Sequence, residues 1–137
     1  MNIKKLIFAS IAVTLSGVIL YVFASPSSTS FLTPSGGGHY SGNINISWNA
    51  ATDADTYSIY LTDSGNNTTA IIEGTTSTGT ILDSTSKSDG TYILTGKSCN
   101  STGCTDFNPG INFIIDNTKP TINLSGNNTQ IIEVKTI

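Results

Sequence analysis

From about residue 30 onward the apolar positions recur every second residue, not every third or fourth. Ile44, Ile46 and Trp48 alternate with Asn43, Asn45, Ser47 and Asn49, and Tyr57, Ile59 and Leu61 alternate with Ser58, Tyr60 and Thr62. Tyr92 and Leu94 share one face of the run Thr91–Cys99; Ile111, Phe113 and Ile115 share one face of Gly110–Asp116. Side chains of an extended chain point alternately to opposite faces, so this pattern predicts strands with one face buried. Shorter strands are predicted at Phe31–Thr33, Thr68–Glu73 and Thr78–Asp83. The turn clusters Ser35-Gly36-Gly37-Gly38, Asp63-Ser64-Gly65-Asn66-Asn67, Asp89-Gly90 and Asn108-Pro109-Gly110 separate them. Seven such strands predict an all-β, immunoglobulin-like sandwich over residues 30–118, with no helix after residue 24. Its predicted core is Ile44, Ile46, Trp48, Tyr57, Ile59, Tyr92, Leu94 and Phe113.

The two ends of the chain carry different patterns. Lys4 and Lys5 precede a run from Leu6 to Ala24 that holds 19 residues without a charge. Val22-Phe23-Ala24 before Ser25 puts small residues where signal peptidase accepts them, so residues 1–24 read as a hydrophobic signal helix cleaved after Ala24. An uncleaved anchor that meets the membrane through residues 6–24 is the alternative. Either way, the remainder is expected outside the cytoplasm, secreted or at the cell surface. Residues 25–29, rich in Ser, Thr and Pro, read as a tether with nothing to bury. After Lys119-Pro120 the alternation restarts in Ile122 and Leu124, then in Ile131, Ile132 and Val134. Residues 119–137 therefore read as a linker and the opening strands of a second, truncated module of a longer protein. A strand that pairs back onto the first domain is the other reading.

Composition narrows the function. Ser, Thr, Asn and Gly supply 65 of the 137 residues, while only 11 % are charged. All six basic residues are lysine, and removal of Lys4 and Lys5 with the leader takes the net charge from −3 to −5. An acidic chain without arginine lacks the clusters that neutralise phosphates, which excludes a nucleic-acid binder. In an oxidising compartment, Cys99 and Cys104, separated by a short turn, most simply form a local disulfide. A zinc site would need four ligands, and His39 is the single histidine.

No constellation for catalysis emerges. His39 follows a glycine turn, far in sequence from any partner, and reads as a solvated loop residue. The carboxylates fall in turns or at strand ends and read as turn formers and solubilising charges. No cofactor is expected. A calcium ion at the module junction, held by Asp116 and Asn117 with Asp106, is weighed against plain turn chemistry, since calcium wants six to eight oxygens. Six Asn-x-Ser/Thr sequons, at Asn45, Asn66, Asn67, Asn100, Asn123 and Asn127, are close to what this composition yields by accident.

Trp48 in the second strand, Tyr57-Ser58-Ile59-Tyr60 in the third, and Tyr92-x-Leu94-x-Gly96-x-Ser98-x-Asn100 followed by Gly103 resemble a fibronectin type III domain. Cys99 to Cys104 looks like a bacterial variant in which a disulfide bridges the last two strands across their turn. Asp89-Gly90-Thr91-Tyr92 is similar to the tyrosine corner of immunoglobulin-like sandwiches, in which Tyr92 would bond backbone a few residues upstream. The run Ile115 to Pro120 with Ile122-x-Leu124-x-Gly126 resembles the junction of tandem bacterial immunoglobulin-like domains. Gly96 and Ser98 stand where the family places bulkier residues, which implies a thin core there. The resemblance implies a non-catalytic module of a surface or secreted protein, acting in adhesion, spacing or presentation. Its partners would be further modules of the same chain, and extracellular glycans or surface proteins. The alternative is a carbohydrate-binding accessory module of a larger secreted hydrolase or peptidase, with Tyr40 and Tyr60 as the candidate ligand-facing aromatics.

Overall fold

The computed structural model describes residues 24–121, together with the backbone of β1 (Val13–Leu15) and β2 (Val18–Leu20). The leader helix, and the second module from residue 122 onward, otherwise lie outside the described residues. Where the leader is described it is extended rather than helical, β1 pairing antiparallel with β2. Val13, Thr14, Val18 and Ile19 are β-branched and favour that backbone.

Nine strands follow: β3 (Phe31–Thr33), β4 (His39–Tyr40), β5 (Asn43–Trp48), β6 (Thr56–Thr62), β7 (Thr68–Thr75), β8 (Gly79–Asp83), β9 (Gly90–Asn100), β10 (Gly103–Asp106) and β11 (Ile111–Ile115). They form two sheets. One has the order β3-β5-β8; the other has the order β4-β11-β9-β6-β7, with β10 paired to the far end of β9. All pairs are antiparallel except β4 with β11.

Alternation decides which side chains meet between the sheets. Ile44, Ile46 and Trp48 of β5 and Leu82 of β8 face Tyr57, Ile59 and Leu61 of β6, Tyr92 and Leu94 of β9, and Phe113 and Ile115 of β11. All eight predicted core residues are buried. Outward positions carry hydroxyls and amides, as Asn43, Asn45, Ser58, Thr62 and Thr95 show. Lys97–Asp106, at 3.8 Å, is the one ion pair among the described residues.

Two short strands and one core residue escaped the hydrophobic pattern. β4 lies in what reads as a glycine loop, and β10 is a separate strand from β11. Between those last two, the chain leaves β9 and returns over Phe107-Asn108-Pro109-Gly110, and this excursion drops Phe107 into the core. Its backbone N–H donates to the Gly96 carbonyl at 2.8 Å, so the ring lies over Gly96. A Cβ at Gly96 would sit 2.7 Å from Phe107 Cδ2. The core at Gly96 is therefore not thin, because Phe107 fills the space a larger side chain would take. Phe107 in turn packs against Phe31, Trp48 and Tyr57, with ring centroids 5.0, 6.1 and 6.2 Å away. Trp48 Nε1, buried among these rings, has no hydrogen-bond partner among the described residues.

Residues 25–29 are not a free tether. Pro26 and Thr29 are buried, and the segment runs along the end of the sandwich as a strap. Ser27 N–H donates to the Thr52 carbonyl (3.0 Å), Thr52 N–H to Ser27 Oγ (2.9 Å), and Thr29 Oγ1 to the Asn49 carbonyl (2.7 Å). Ser98, fully buried, donates its hydroxyl to the Ser27 and Thr105 carbonyls at 2.9 and 3.2 Å. The small residue at position 98 thus seats the strap. A chain of hydroxyls and one proline has little apolar surface to bury, yet its backbone groups must be paired once they leave water.

Candidate functional site

Three places hold the residues singled out by the sequence: the outer face of the larger sheet, the end of the domain where the chain arrives, and the end where it leaves.

On the outer face, Tyr60 points away from the core and is half-buried, with its hydroxyl donating to Glu73 Oε1 at 3.0 Å. Thr95 stands opposite it on β9. Tyr40 is placed differently. Its ring meets Phe113 edge-on at 5.8 Å, and its Oη accepts from Ser35 N–H at 2.8 Å. A Cβ at Gly38 would sit 2.6 Å from the Tyr40 ring, so glycine there lets the tyrosine fold back over the loop. Tyr40 serves as a flank of the core, and it also lines a cleft with Thr33, Ser35, Asn43 and Asn45. The structure does not join the two tyrosines into one platform.

At the arriving end, Cys99 and Cys104 stand directly opposite each other in the β9–β10 register and are bonded, with Cα atoms 4.1 Å apart. The disulfide closes the hairpin that carries Asn100 and Thr102. Asn100 Oδ1 accepts from Thr102 N–H (2.9 Å), Thr102 Oγ1 (2.6 Å) and Gly103 N–H (3.3 Å), an arrangement that fixes the turn. Its Nδ2 donates to the carbonyls of Ala24 and Asp53, both at 3.0 Å. The Asn100 sequon is thus fully engaged in hydrogen bonds of the fold.

At the leaving end, Tyr92 Oη donates to the Ser88 carbonyl at 2.9 Å, four residues upstream, which pins the loop before β9. Asn117 is consumed by this loop. Its Nδ2 donates to the Ser84 and Lys87 carbonyls (2.8 and 3.1 Å), and its Oδ1 accepts from the buried Ser84 hydroxyl (3.4 Å). Its N–H donates to Asp89 Oδ1 at 2.6 Å, while the Thr118 hydroxyl donates to Asp89 Oδ2. The Thr118 hydroxyl and then the Asn117 N–H hold the Asp89 carboxyl below the usual carboxylate range, because both bonds favour the charged form.

The calcium set is not assembled. Asp106 pairs with Lys97 and Ile115 with Gly90, seven positions apart on β9, so Asp106 and Asp116 lie at opposite ends of the sheet, roughly 23 Å apart. Asn117 has its side chain committed to Ser84 and Lys87. Among the described residues no three His, Cys, Asp or Glu side chains gather as a metal site. His39 is exposed on β4, opposite Ile114, and among the described residues no candidate nucleophile is hydrogen-bonded to it.

Two packed sheets of orders β3-β5-β8 and β4-β11-β9-β6-β7, with a tyrosine bonded back to its preceding loop, define a fibronectin type III-like β-sandwich. No family model matches the chain, and no curated protein matches it. Among solved structures the chain is similar to part of the endo-β-1,4-mannanase from Thermotoga petrophila, at 14 % identity and a TM-score of 0.51, over 71 % of this chain. It spans only 21 % of that enzyme's length. It is also similar to the CbhA fibronectin(III)-like modules of Clostridium thermocellum (16 % identity, TM-score 0.47, 64 % of this chain and 93 % of that one). An Fn3-like protein from Clostridium thermocellum shows 22 % identity and a TM-score of 0.45 over 72 % of this chain and 97 % of its own. At these identities the likeness speaks to the fold alone.

Proposed function

We propose that the chain is a non-catalytic module of an exported, bacterial-type surface or secreted protein, and that it holds the module that follows at a set distance from the point where its own chain enters the fold. The observation that carries this reading is the placement of the chain's two ends. The strap arrives beside Asn100, at one end of β9, and the chain leaves beside Asp89, at the other. β9 has 11 residues, which separates the two points by about 35 Å. Both ends are tied to the domain by side-chain hydrogen bonds, so the spacing is built in. The lysine-flanked apolar leader and the cysteine pair favour an extracytoplasmic location, and the restart after Pro120 favours further modules as neighbours. Spin labels at positions 25 and 119 test the reading. One narrow distance of about 35 Å is expected, and a broad distribution would refute a fixed spacer.

A second reading, an accessory module that binds polysaccharide beside a secreted hydrolase, is favoured by the outward ring of Tyr60 next to Glu73 and Thr95. Electrophoresis through gels containing soluble mannan or cellulose derivatives tests it. Retardation that Tyr60→Ala abolishes supports this reading, and unretarded migration in every gel removes it.

A further inference from the structure

The strap begins at the bond the leader reading marks for cleavage. The Ala24 carbonyl, which a peptidase must attack, accepts hydrogen bonds from Asn100 Nδ2 and Thr102 Oγ1, both at 3.0 Å. On the other side of that bond Pro26 is buried, and its carbonyl accepts from Thr105 Oγ1 at 2.7 Å. Ser27 is bonded through its N–H, its hydroxyl and its carbonyl. Peptidases bind their substrates as extended segments through main-chain groups on both sides of the bond. Here the Ala24 carbonyl on one side of the bond, and the Pro26 carbonyl and the Ser27 N–H and carbonyl on the other, are already taken by the domain.

From this we infer that the folded domain masks the Ala24–Ser25 bond, so the leader leaves only a chain whose β9–β10 corner has not yet closed, and a chain that folds first keeps it. The inference rests on the reading of residues 1–24 as a leader cut after Ala24. Cleavage adds one water across the peptide bond: Ala24 gains a carboxylate, and Ser25 becomes an α-amine. The cut removes only the two bonds to the Ala24 carbonyl, while the contacts of Pro26, Ser27, Ser28 and Thr29 stay with the product. Processing and folding are therefore compatible in one order. In a chain that folds first, no flexible residues separate the apolar run from the sandwich. The Asn100–Thr102 turn, bonded to Ala24, and Asp53, whose carbonyl accepts from Asn100, would then lie against the membrane surface.

The full chain in detergent micelles, treated with a bacterial leader peptidase, provides the test. Phe113→Asp places a charge in the core and supplies a chain that cannot fold. Folded wild type is expected to be cut after Ala24 at least about tenfold more slowly than Phe113→Asp, because cleavage of a protected site follows the small population of its open form. The double variant Thr102→Val/Thr105→Val, checked as folded by Trp48 emission, is expected to be cut several-fold faster than wild type. Equal rates for wild type and Phe113→Asp would overturn the masking and leave the leader reading intact. A Phe113→Asp chain that is never cut after Ala24 would overturn the leader reading and the masking together. A double variant cut no faster than wild type would overturn the role given to the Ala24 and Pro26 carbonyl contacts.

Discussion

The Gly96→Ala substitution probes how Phe107 completes the core. A methyl group at position 96 would stand 2.7 and 2.8 Å from Phe107 Cδ2 and Cε2, and 3.0 Å from Ile59 Cδ1. The isoleucine end can rotate away. The phenyl ring cannot, because it is fixed by Phe31, Trp48 and Tyr57 and by the bond from its own N–H to the Gly96 carbonyl. Overpacking of this kind costs about 1–3 kcal/mol, and the restricted unfolded chain of an alanine variant returns about 0.4–1 kcal/mol. Gly96→Ala should therefore lose about 1–2 kcal/mol, read from urea unfolding followed by Trp48 emission. Phe107→Ala alone should lose about 3–5 kcal/mol. In the Phe107→Ala background the added methyl meets empty space, and Gly96→Ala should become neutral or mildly stabilising. The cycle thus predicts a coupling of about 2 kcal/mol between the two positions. A Gly96→Ala domain as stable as wild type, or a cycle that closes without coupling, would refute the reasoning.

Other outcomes follow from the same contacts. Tyr92→Phe removes the bond to the Ser88 carbonyl and should lower stability by about 1 kcal/mol in the same assay; an unchanged midpoint would mean the loop does not depend on it. Replacing both Cys99 and Cys104 by serine opens a short loop and should cost about 2 kcal/mol, with sheet content by circular dichroism retained. Trp48→Phe should cost no more than about 2 kcal/mol, because an unpaired N–H donor leaves with the lost area. A loss above about 3 kcal/mol would show that the indole N–H has a partner. Acid should weaken the domain in a defined window. The carboxyls of Asp63, Asp83 and Asp89 are each held below the usual 3.8, chiefly by the Asn67 N–H, the Thr85 hydroxyl and the Thr118 hydroxyl respectively. Their stabilisation is fully present above that value and is lost as the pH falls through the depressed ones. Asp89→Asn should flatten this acid limb in a melting-temperature profile, and a profile that superimposes on wild type would exclude Asp89 as a contributor.

The sandwich was legible because period-two burial leaves a direct trace: Ile44, Ile46, Trp48, Tyr57 and Ile59 announce both strand and face. Phe107 left no such trace. It is a lone aromatic between Asp106 and Asn108-Pro109, and only the β9 register reveals that it lands on Gly96. The pairing of a bare glycine on one strand with an isolated aromatic near the next was the available signal. The strap was illegible for another reason. Its docking is carried largely by hydroxyls and backbone groups, and Ser and Thr look alike in sequence whether they face water or a carbonyl. The calcium grouping of Asp106 with Asp116 and Asn117 failed because nearness in sequence does not survive a strand: β11 carries the chain from one end of the sheet to the other. Tyr40 was illegible in another way: Gly38, two residues before it, reads as part of a turn, yet its missing side chain is what lets the tyrosine ring fold back against the loop.

The outward hydroxyls and amides have a colloidal consequence. A surface kept wet by Thr, Ser and Asn depends on hydrogen bonding with water, which ions of ordinary concentration barely alter. Charge-based solubility changes as the screening length shrinks from about 30 Å at 0.01 M salt to about 3 Å at 1 M. With a single ion pair among its described residues, this domain has little attraction between charges for salt to weaken, and only the repulsion within its net negative charge for salt to relieve. Its folded shape should therefore persist from dilute to concentrated brine.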